Sequence, residues 1–315
     1  MSTITLSAGG AAVKPRKANK KKAQPFPYIL LLPTLIILVV MVGYPVVSLI
    51  ITSFQHYGRE QVFGAPATFA GLENYQTVLT DPSFWMMLLR SFLFMIAAVV
   101  ATMLLGTLLA LLMMRLNKGF RLLVTVGLLL AWAMPALASV AVWGWLFDTS
   151  YGIINYLLTQ ITGSDWTGHS WLANPISFFL VLGLVIVWQG APFVAFTLYA
   201  GLTQIPGEVL EASQMDGATP VRRFFLIMMP YVRSIFTVLI VLSIIWDIRV
   251  FAQVVALQSI GGIAEQTSTF GVWVFMKGTA GGNYGVSAAA ALIMVVVMLV
   301  ISFYYVRQTL REDNN

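Results

Sequence analysis

Six long apolar stretches constrain this chain more than any other feature of its sequence. A helix needs about 20 mostly apolar residues to cross a bilayer. The predicted spans are Tyr28–Ile51, Ser91–Met114, Leu122–Phe147, Ile176–Leu198, Ile235–Leu257 and Val286–Val306. With 59% apolar residues and a mean hydropathy of +0.85, the chain is too hydrophobic for an ordinary soluble domain. The sequence therefore predicts an all-α integral membrane protein with about six transmembrane helices.

Lysine and arginine are distributed unevenly among the connections between these spans. Most of them precede the first span, follow the last span, or lie in the second-to-third and fourth-to-fifth connections. Apart from Arg90, directly before the second span, the other connections contain only Arg59 and Lys277. By the positive-inside rule, both termini and the fourth-to-fifth connection are predicted to be cytoplasmic. The net charge of +6 thus reflects membrane topology, and no nucleic-acid partner is predicted.

The spans and loops predict four regions along the chain. They are a disordered, basic cytoplasmic tail (1–27), a first transmembrane helix with its outer loop (28–84), a membrane core (85–306) and a cytoplasmic C-terminal tail (307–315). The lysines of the first tail either bind anionic lipid or only orient the chain. Within the outer loops, residues 151–161 predict a short interfacial helix. Residues 269–276 are too few to span the membrane and predict a re-entrant half-helix.

Proline and glycine interrupt three of the predicted spans. The interruptions are Gly43 and Pro45 in the first span, Pro135 in the third, and Gly190 and Pro192 in the fourth. Each proline removes a backbone donor and is predicted to kink its helix. The kinks are either hinges of a transport pathway or ordinary features of membrane helices, in which these residues are common.

Several kinds of chemistry are excluded or unsupported by the residues present. The chain has no cysteine, which excludes disulfides, thiol catalysis and iron–sulfur sites. His56 and His169 are not spaced as ligands, so no metal site is predicted. The phosphate-binding pattern G-x-x-x-x-G-K-[ST] does not occur, so the chain is not predicted to hydrolyse ATP.

A polar segment between the fourth and fifth predicted spans has the residues of a helix–turn–helix. Pro206 suits the first turn of a helix, and Gly217 suits its end. Thr219 and Pro220 suit the start of a second helix, which Pro230 is predicted to break. The first helix, of about ten residues or about 15 Å, has the length of a rod that couples a span to a cytosolic partner. The alternative is a loop that packs on its own protein.

The segment contains Glu211-Ala212-Ser213, then Gly217, Ile227 and Pro230. This order and spacing resembles the EAA loop of permease subunits of bacterial binding-protein-dependent ABC importers. The family pattern is Glu-Ala-Ala, three residues, Gly, nine residues, Ile, one residue and Leu-Pro. This chain departs from it mildly, with Ser213 for the last alanine and Met229 for leucine. Asp216-Gly217-Ala218 resembles the carbohydrate-type branch, which includes maltose and glycerol-phosphate permeases. The resemblance extends from about Trp85 to Val306.

The resemblance implies a type I ABC importer permease fold in the bacterial cytoplasmic membrane. The chain would pair with a second permease subunit, as a heterodimer. Two ABC ATPase subunits, which would bind ATP and Mg, would grip the loop 199–234, and an extracytoplasmic binding lipoprotein would deliver the solute. No cofactor is expected on this chain. The residues assigned to ATPase coupling are Glu211, Ala212, Ser213, Asp216, Gly217, Ala218, Ile227 and Pro230.

Polar and aromatic residues within the spans are candidates for contact with the transported solute. Asp247 lies about twelve residues into the predicted fifth span, or about 18 Å deep, where an ionisable group is a functional candidate. Arg249 would point away from Asp247 on a helix, so the two are not predicted to pair with each other. A structural salt bridge to another partner is the alternative. The candidates are Trp246, Asp247, Arg249, Gln253, Trp188 and Gln189.

Together these features predict the permease subunit of an ATP-driven importer for a sugar, specifically a di- or oligosaccharide. One alternative is a permease for glycerol phosphate or a polyol. An alternative of another class is an ion-coupled secondary transporter. It is disfavoured because the sequence has no evident inverted repeat with paired broken helices.

Overall fold

The computed structural model describes the backbone of residues 26–312, and this part of the chain is mainly helical. Contacts divide the chain into two units, Met1–Ser48 and Leu49–Asn315. The described part of the first unit contains α1 (Phe26–Leu38), a π-helical segment (Val39–Gly43) and the beginning of α2 (Tyr44–Ser53). The predicted disordered tail (1–27) lies outside the described residues except for its last two positions.

In the second unit, the end of α2 leads into the first predicted outer loop, which contains a small β-hairpin. Its elements are β1 (Gln55–His56), α3 (Arg59–Val62), β2 (Thr68–Phe69) and α4 (Glu73–Thr80), and β1 pairs antiparallel with β2. The amide nitrogen of buried Asn74 donates to the carbonyl oxygens of Ser53 (3.0 Å) and Gln55 (2.9 Å). One side chain thus joins α4 to the end of α2. The predicted all-α class did not include this hairpin.

Long helices form most of the second unit. They are α5 (Pro82–Arg115), α6 (Lys118–Ala133), α7 (Ala136–Leu146), α9 (Pro175–Leu202), α11 (Pro220–Arg223) continued by a π segment (Phe224–Met228) into α12 (Met229–Asp247), and α16 (Tyr284–Glu312). In the described residues, five helices are long and apolar enough to cross a membrane, or six if the bent pair α6 and α7 is one span. The predicted class and approximate number of spans are confirmed.

The third predicted span is not one straight helix. The axes of α6 and α7 meet at 105°, and the break lies at Met134 and Pro135. Pro135 caps α7 and has no amide hydrogen to continue the hydrogen-bond ladder of α6. In contrast, α9 runs through Pro192 without interruption. A proline inside an apolar stretch therefore separates α6 from α7 but does not interrupt α9.

The fifth predicted span (Ile235–Leu257) is wrong in its position. The helix begins at Pro220, ends at Asp247 and is followed by α13 (Ala252–Ile260). Neither glycine nor proline marks this end, so the apolar pattern gave no sign of it. Three residues beyond this end, the hydroxyl of Thr269 donates to the carbonyl of Val250 at 3.3 Å.

Pro230 does not break the second helix of the polar segment, contrary to the prediction. The π segment Phe224–Met228 directly precedes it, and the amide of Met229 donates to the carbonyl of Phe224. A π turn is wider than an α turn, so it accommodates the proline ring and the missing donor. The first unit repeats this arrangement, since Pro45 closely follows the π segment Val39–Gly43.

The most extensive helix–helix contact in the described chain joins α5 and α9. Small residues allow their backbones to come close together, as is typical of membrane helices. A Cβ atom added to Gly106 would lie 2.5 Å from the Cβ of Val194, and one added to Gly190 would lie 3.1 Å from Thr102 Cγ2. Thr102 is itself buried. This contact forms the centre of the membrane core.

Three further helices of the second unit lie in the predicted outer loops. They are α8 (Ile153–Thr162), α14 (Ala264–Thr267) and α15 (Phe270–Thr279). The helical conformation predicted for residues 151–161 and 269–276 is confirmed by α8 and α15. The latter packs on α16 and α5, and its Phe270 and Trp273 are buried.

Asp81 joins the N-terminus of α5 to the third outer loop. Its carboxylate accepts hydrogen bonds from the amide of Ser83 (2.8 Å) and from Nζ of Lys277 (2.8 Å). Burial alone would raise the pKa of Asp81, but the hydrogen bonds from Lys277 and Ser83 outweigh it and lower the pKa below its ordinary 3.8. The ionised form of Asp81 therefore stabilises the fold.

We expect Gly106→Ala to lower the free energy of unfolding by about 1–3 kcal/mol, because the new methyl group would overlap Val194. Gly127→Ala in α6 is the matched control. It gains the same helix propensity, but no heavy atom lies within 4 Å of its new Cβ. Thermal unfolding in detergent measures both variants. Equal midpoints would contradict the close α5–α9 contact.

Asp81→Asn is expected to lower stability at neutral pH by less than about 1 kcal/mol, since the pair with Lys277 is partly exposed. The folded pKa of Asp81 is below 3.8, so its contribution is complete above that pH and is lost as the pH falls through the folded pKa. The difference in unfolding midpoint between wild type and variant should therefore shrink in acid below 3.8. A difference in midpoint that stays constant over this pH range would contradict the role of Asp81 protonation.

Candidate functional site

The polar segment forms the helix–turn–helix that the sequence predicts. Its first helix, α10 (Gly207–Met215), begins directly after Pro206. The hydroxyl oxygen of Thr219 then accepts a hydrogen bond from the amide of Arg222 (3.3 Å) at the start of α11. The chain thus re-enters the membrane core through one continuous helix.

Gly217 forms the turn between these two helices. Its φ is +73°, a left-handed conformation that disfavours residues with a Cβ. The amides of Gly217 and Ala218 donate to the carbonyls of Gln214 and Ser213, each at 3.0 Å. These bonds satisfy carbonyl groups at the end of α10 that have no partner within the helix. The angle between α10 and α11 therefore depends on a glycine.

The structure separates the residues assigned to coupling into surface and interior groups. Ser213 is buried, and its hydroxyl donates to the carbonyl of Leu210 (2.7 Å). Ala218 and Ile227 are half-buried. The exposed members are Glu211, Ala212, Asp216, Gly217 and Pro230. The outer surface of the loop 199–234 is thus provided by Glu211 and Ala212, whereas Ser213 faces the protein.

Apolar side chains are exposed beside these residues. Met215 is 89% exposed, and Val221, Phe225 and Leu226 are each more than half exposed. The acidic residues of α10 and its C-terminus form no ion pair within 4 Å in the described part of the chain. A surface with exposed apolar side chains next to unpaired charges is typical of protein–protein contact.

The inner side of α10 anchors the loop to the membrane core. Val209 and Leu210 pack against a buried cluster that includes Leu202 at the end of α9 and Met228 and Val232 in the helix that begins at Pro220. Because apolar contacts join α10 to both neighbouring helices, a displacement of α10 is expected to move the ends of α9 and α12.

A pair that the sequence did not predict ties α6 to α9 near the same end. Nη1 of Arg121 donates to the hydroxyl of Tyr199 at 2.8 Å, and the guanidinium carbon lies 5.6 Å from the centre of the Tyr199 ring. Arg121 had been counted only as a charge that sets topology. Its position at the start of α6 was visible in the sequence, but its partner, 78 residues away, was not.

Gln189, a predicted pathway residue, holds the break between α6 and α7. Its amide nitrogen donates to the carbonyl of Met134 at 2.6 Å. One turn further along α9, Phe193 stacks on Trp132 with ring centres 6.3 Å apart, and its other neighbour is the pathway candidate Trp246 at 5.2 Å. The structure therefore brings Gln189 and Trp246 close to the same break.

In the described part of the chain, the side chains of the other predicted pathway residues form no hydrogen bond or ring contact with this group, although the backbone amide of Arg249 donates to the carbonyl of Trp246 at 3.2 Å. Trp188 packs edge-on against Trp143 of α7, with ring centres 6.0 Å apart. Arg249 is exposed and lines a cavity of about 520 Å³ that also contacts α15 and α16. Gln253 is half-buried in the first turn of α13.

Asp247 is the last residue of α12, so its predicted place in the middle of a continuous span is wrong. Its Oδ2 atom is buried and has no hydrogen-bond partner among the described residues. As predicted, it forms no ion pair with Arg249 in this part of the chain. A buried acceptor without a partner is costly in an apolar protein and is available to a hydroxyl donor.

Comparison with known proteins gives a family match over most of the chain. Residues 102–311 match the model described as "Binding-protein-dependent transport system inner membrane component". The chain is 34% identical to the diacetylchitobiose uptake system permease protein DasB of Streptomyces coelicolor, over 98% of this chain and 93% of that protein. It is 30% identical to the trehalose/maltose transport system permease protein MalF of Thermococcus litoralis, over 83% and 86%.

Solved structures share the fold. One is the crystal structure of a bacterial ABC transporter involved in the import of the acidic polysaccharide alginate. It matches with a TM-score of 0.76 and 21% identity, over 91% of this chain and 95% of that chain. At this identity, the likeness concerns the arrangement of helices.

We expect Gly217→Ala to weaken the turn after α10. A left-handed conformation costs a residue with a Cβ about 1–2 kcal/mol, so the amides of residues 217 and 218 should exchange about five- to thirtyfold faster. Gly207→Ala is the control, since both glycines have open space around a new Cβ and only Gly217 has a positive φ. Hydrogen–deuterium exchange of the loop measures both. Equal exchange would contradict this role of Gly217.

Proposed function

The chain belongs to the family of inner membrane components of binding-protein-dependent transport systems, and on that basis we propose that it forms half of the translocation pathway of an ATP-driven sugar importer. It is a transport subunit and a multi-pass membrane protein. The observation that carries the proposal is the exposed acidic and apolar surface of α10, located within the matched region and ended by the left-handed Gly217.

The proposed partners are the subunits that would supply ATP hydrolysis, the second half of the pathway and delivery of the solute. Two ABC ATPase subunits would bind ATP and Mg and contact the loop 199–234 through Glu211, Ala212 and Met215. A second permease subunit would complete the pathway, and an extracytoplasmic binding protein would deliver the solute. The bacterial inner membrane is the proposed location. No cofactor is proposed for this chain itself.

A carbohydrate of two or more units is the proposed substrate. The relatives support this class, since their names record uptake of diacetylchitobiose and of trehalose or maltose. A sugar presents many hydroxyl donors, which fit the unpartnered carboxylate oxygen of Asp247, and apolar ring faces, which fit the half-exposed Trp246. Permeases for sn-glycerol-3-phosphate also match at 30% identity, so glycerol phosphate or a polyol is the second candidate.

The proposed mechanism uses the contacts between α10 and the break in the third span. Movement of α10 by the ATPases would be carried to α9 through Leu202. Because α9 holds α6 through Tyr199 and Gln189, the two helices would move together. The break at Met134 and Pro135 would then open or close beside Phe193 and Trp246. Access to the solute would alternate between the two sides of the membrane.

Affinity purification from the native membrane, with mass spectrometry, tests the proposed assembly. Recovery of a second permease and an ATPase, with ATP-dependent sugar uptake after reconstitution, is the expected result. Recovery of the chain alone, with uptake driven by an ion gradient, would instead establish an ion-coupled secondary transporter.

We expect Glu211→Lys to reduce uptake at least about tenfold while the chain remains in the membrane, because a reversed charge at a protein contact weakens it by more than about 1.4 kcal/mol. Gly217→Pro should abolish uptake. Glu208→Lys is the matched control for Glu211→Lys, with the same charge change one turn earlier on α10. Uptake of labelled disaccharide and stimulation of ATPase activity by the loaded binding protein are measured. Normal ATPase coupling in both Glu211→Lys and Gly217→Pro would disprove this role of the loop.

A further inference from the structure

A cavity of about 390 Å³ lies between the C-terminal end of α5 and the two helices of the loop 199–234. We call it the inner cavity. Residues that line it and carry the argument are Leu111, Met114, Arg115, Gln214, Arg223 and Phe224. Helix α5, α10 and the helix that begins at Pro220 therefore all contribute to one site.

The predicted topology places the inner cavity at the cytoplasmic boundary of the membrane. Arg115 is the last residue of α5, a helix of 34 residues with a strongly apolar sequence. Positive charge is expected on this side of the membrane, at the level of the lipid phosphates. Leu111 and Met114 lie one turn or less before Arg115, towards the hydrocarbon. The cavity thus has an apolar end and a cationic end, in the order that a phospholipid presents them.

The two arginines of the inner cavity have no acidic partner in the part of the chain that the structure describes. No carboxylate of the described residues lies within 4 Å of the guanidinium group of Arg115 or Arg223. The acidic residues of α10, Glu208 and Glu211, do not line the cavity. Guanidinium groups bind phosphate oxygens through paired hydrogen bonds, and this geometry suits an anionic headgroup.

We propose that the inner cavity binds an anionic phospholipid of the cytoplasmic leaflet. Arg115 and Arg223 bind the phosphate, and the acyl chain lies along Leu111, Met114 and Phe224. An acidic side chain of a protein partner would match the arginines, but it would leave the apolar side that continues α5 into the membrane unfilled. An amphiphilic anion matches both the cationic end and the apolar end of the cavity.

A bound lipid would support α10 from the side. Leu210 and Gln214 line the cavity and share one face of α10, because they are four residues apart. Glu211 and Met215 form the neighbouring exposed face. A lipid in the inner cavity therefore holds α10 in place while the neighbouring face remains open to the ATPase. This regulatory consequence rests on the proposed function, whereas lipid binding does not.

Lipid binding is tested by native mass spectrometry of the complex purified in mild detergent and exposed to phosphatidylglycerol or phosphatidylcholine. Wild type should retain phosphatidylglycerol. Each arginine near an anionic lipid contributes about fivefold to binding, so Arg115→Gln with Arg223→Gln should reduce retention about 25-fold. Arg222→Gln is the matched control, because it removes the same charge from the adjacent position and does not line the cavity.

Equal losses in Arg222→Gln and Arg223→Gln would overturn the proposal, because they would indicate diffuse attraction to the membrane surface. Displacement of the lipid by millimolar inorganic phosphate would overturn it in favour of a soluble anion. Loss of the ATPase subunits from the Arg115→Gln, Arg223→Gln variant, with lipid retention unchanged, would identify the cavity as a protein contact.

The regulatory consequence is tested with the complex in nanodiscs of phosphatidylcholine with or without phosphatidylglycerol. Wild-type ATPase stimulation by the loaded binding protein should rise several-fold with phosphatidylglycerol, and the double variant should lose this rise. If the double variant keeps the rise, the lipid does not act through the inner cavity. If the complex has no such activity in any lipid, the proposed function fails, while the retention measurement still decides lipid binding.

Discussion

The close contact between α5 and α9 is the constraint on which most of the membrane core depends. Helices in a bilayer gain no hydrophobic energy by leaving lipid for each other, so their association relies on close van der Waals contact. Gly106 and Gly190 allow that contact because no side chain separates the backbones there. Helix α9 also meets α12 at Gly201, where a Cβ would lie 2.6 Å from Ile235 Cδ1. It also contacts α6 and is therefore the common neighbour of α5, α6 and α12.

Interruptions of helices are a second constraint, since an apolar environment leaves a free backbone group without water. The protein satisfies these groups in different ways. A side chain of α9 binds the carbonyl of Met134 at the 105° bend, and Thr269 binds the carbonyl of Val250 after the end of α12. At Pro230 a preceding π segment keeps the helix continuous. The first of these interruptions bends the chain by 105°.

These constraints connect the small helix α10 to the middle of the protein. Helix α10 is anchored by apolar contacts to the ends of α9 and α12, and α9 carries the residues that hold α6. The row formed by Trp132, Phe193 and Trp246 lies at the bend. Force applied to α10 thus has a continuous path of packed side chains to the break, which is the arrangement that the proposed importer requires.

Much of the architecture was predictable from the sequence because its signals are local. Long apolar stretches gave the number of spans, and the positions of lysine and arginine gave the predicted sides of the loops. Pro206, Gly217 and Thr219 indicated the ends of α10 and the start of α11, since caps and left-handed turns depend on the residue itself. The spacing of residues around Glu211 indicated the family, because such a pattern can be recognised along the chain without knowledge of distant contacts.

The sequence by itself thus determined the class of protein, the loop and its turn, whereas the tertiary structure decided which interruptions break a helix and which side chains reach the surface. Pro135 ends a helix and Pro192 does not, and the fifth span ends at Asp247 without any local signal. Ser213 faces inward, and Gln189 binds a carbonyl 55 residues away. These outcomes depend on partners distant in sequence, because packing and hydrogen bonding are completed only when the helices meet.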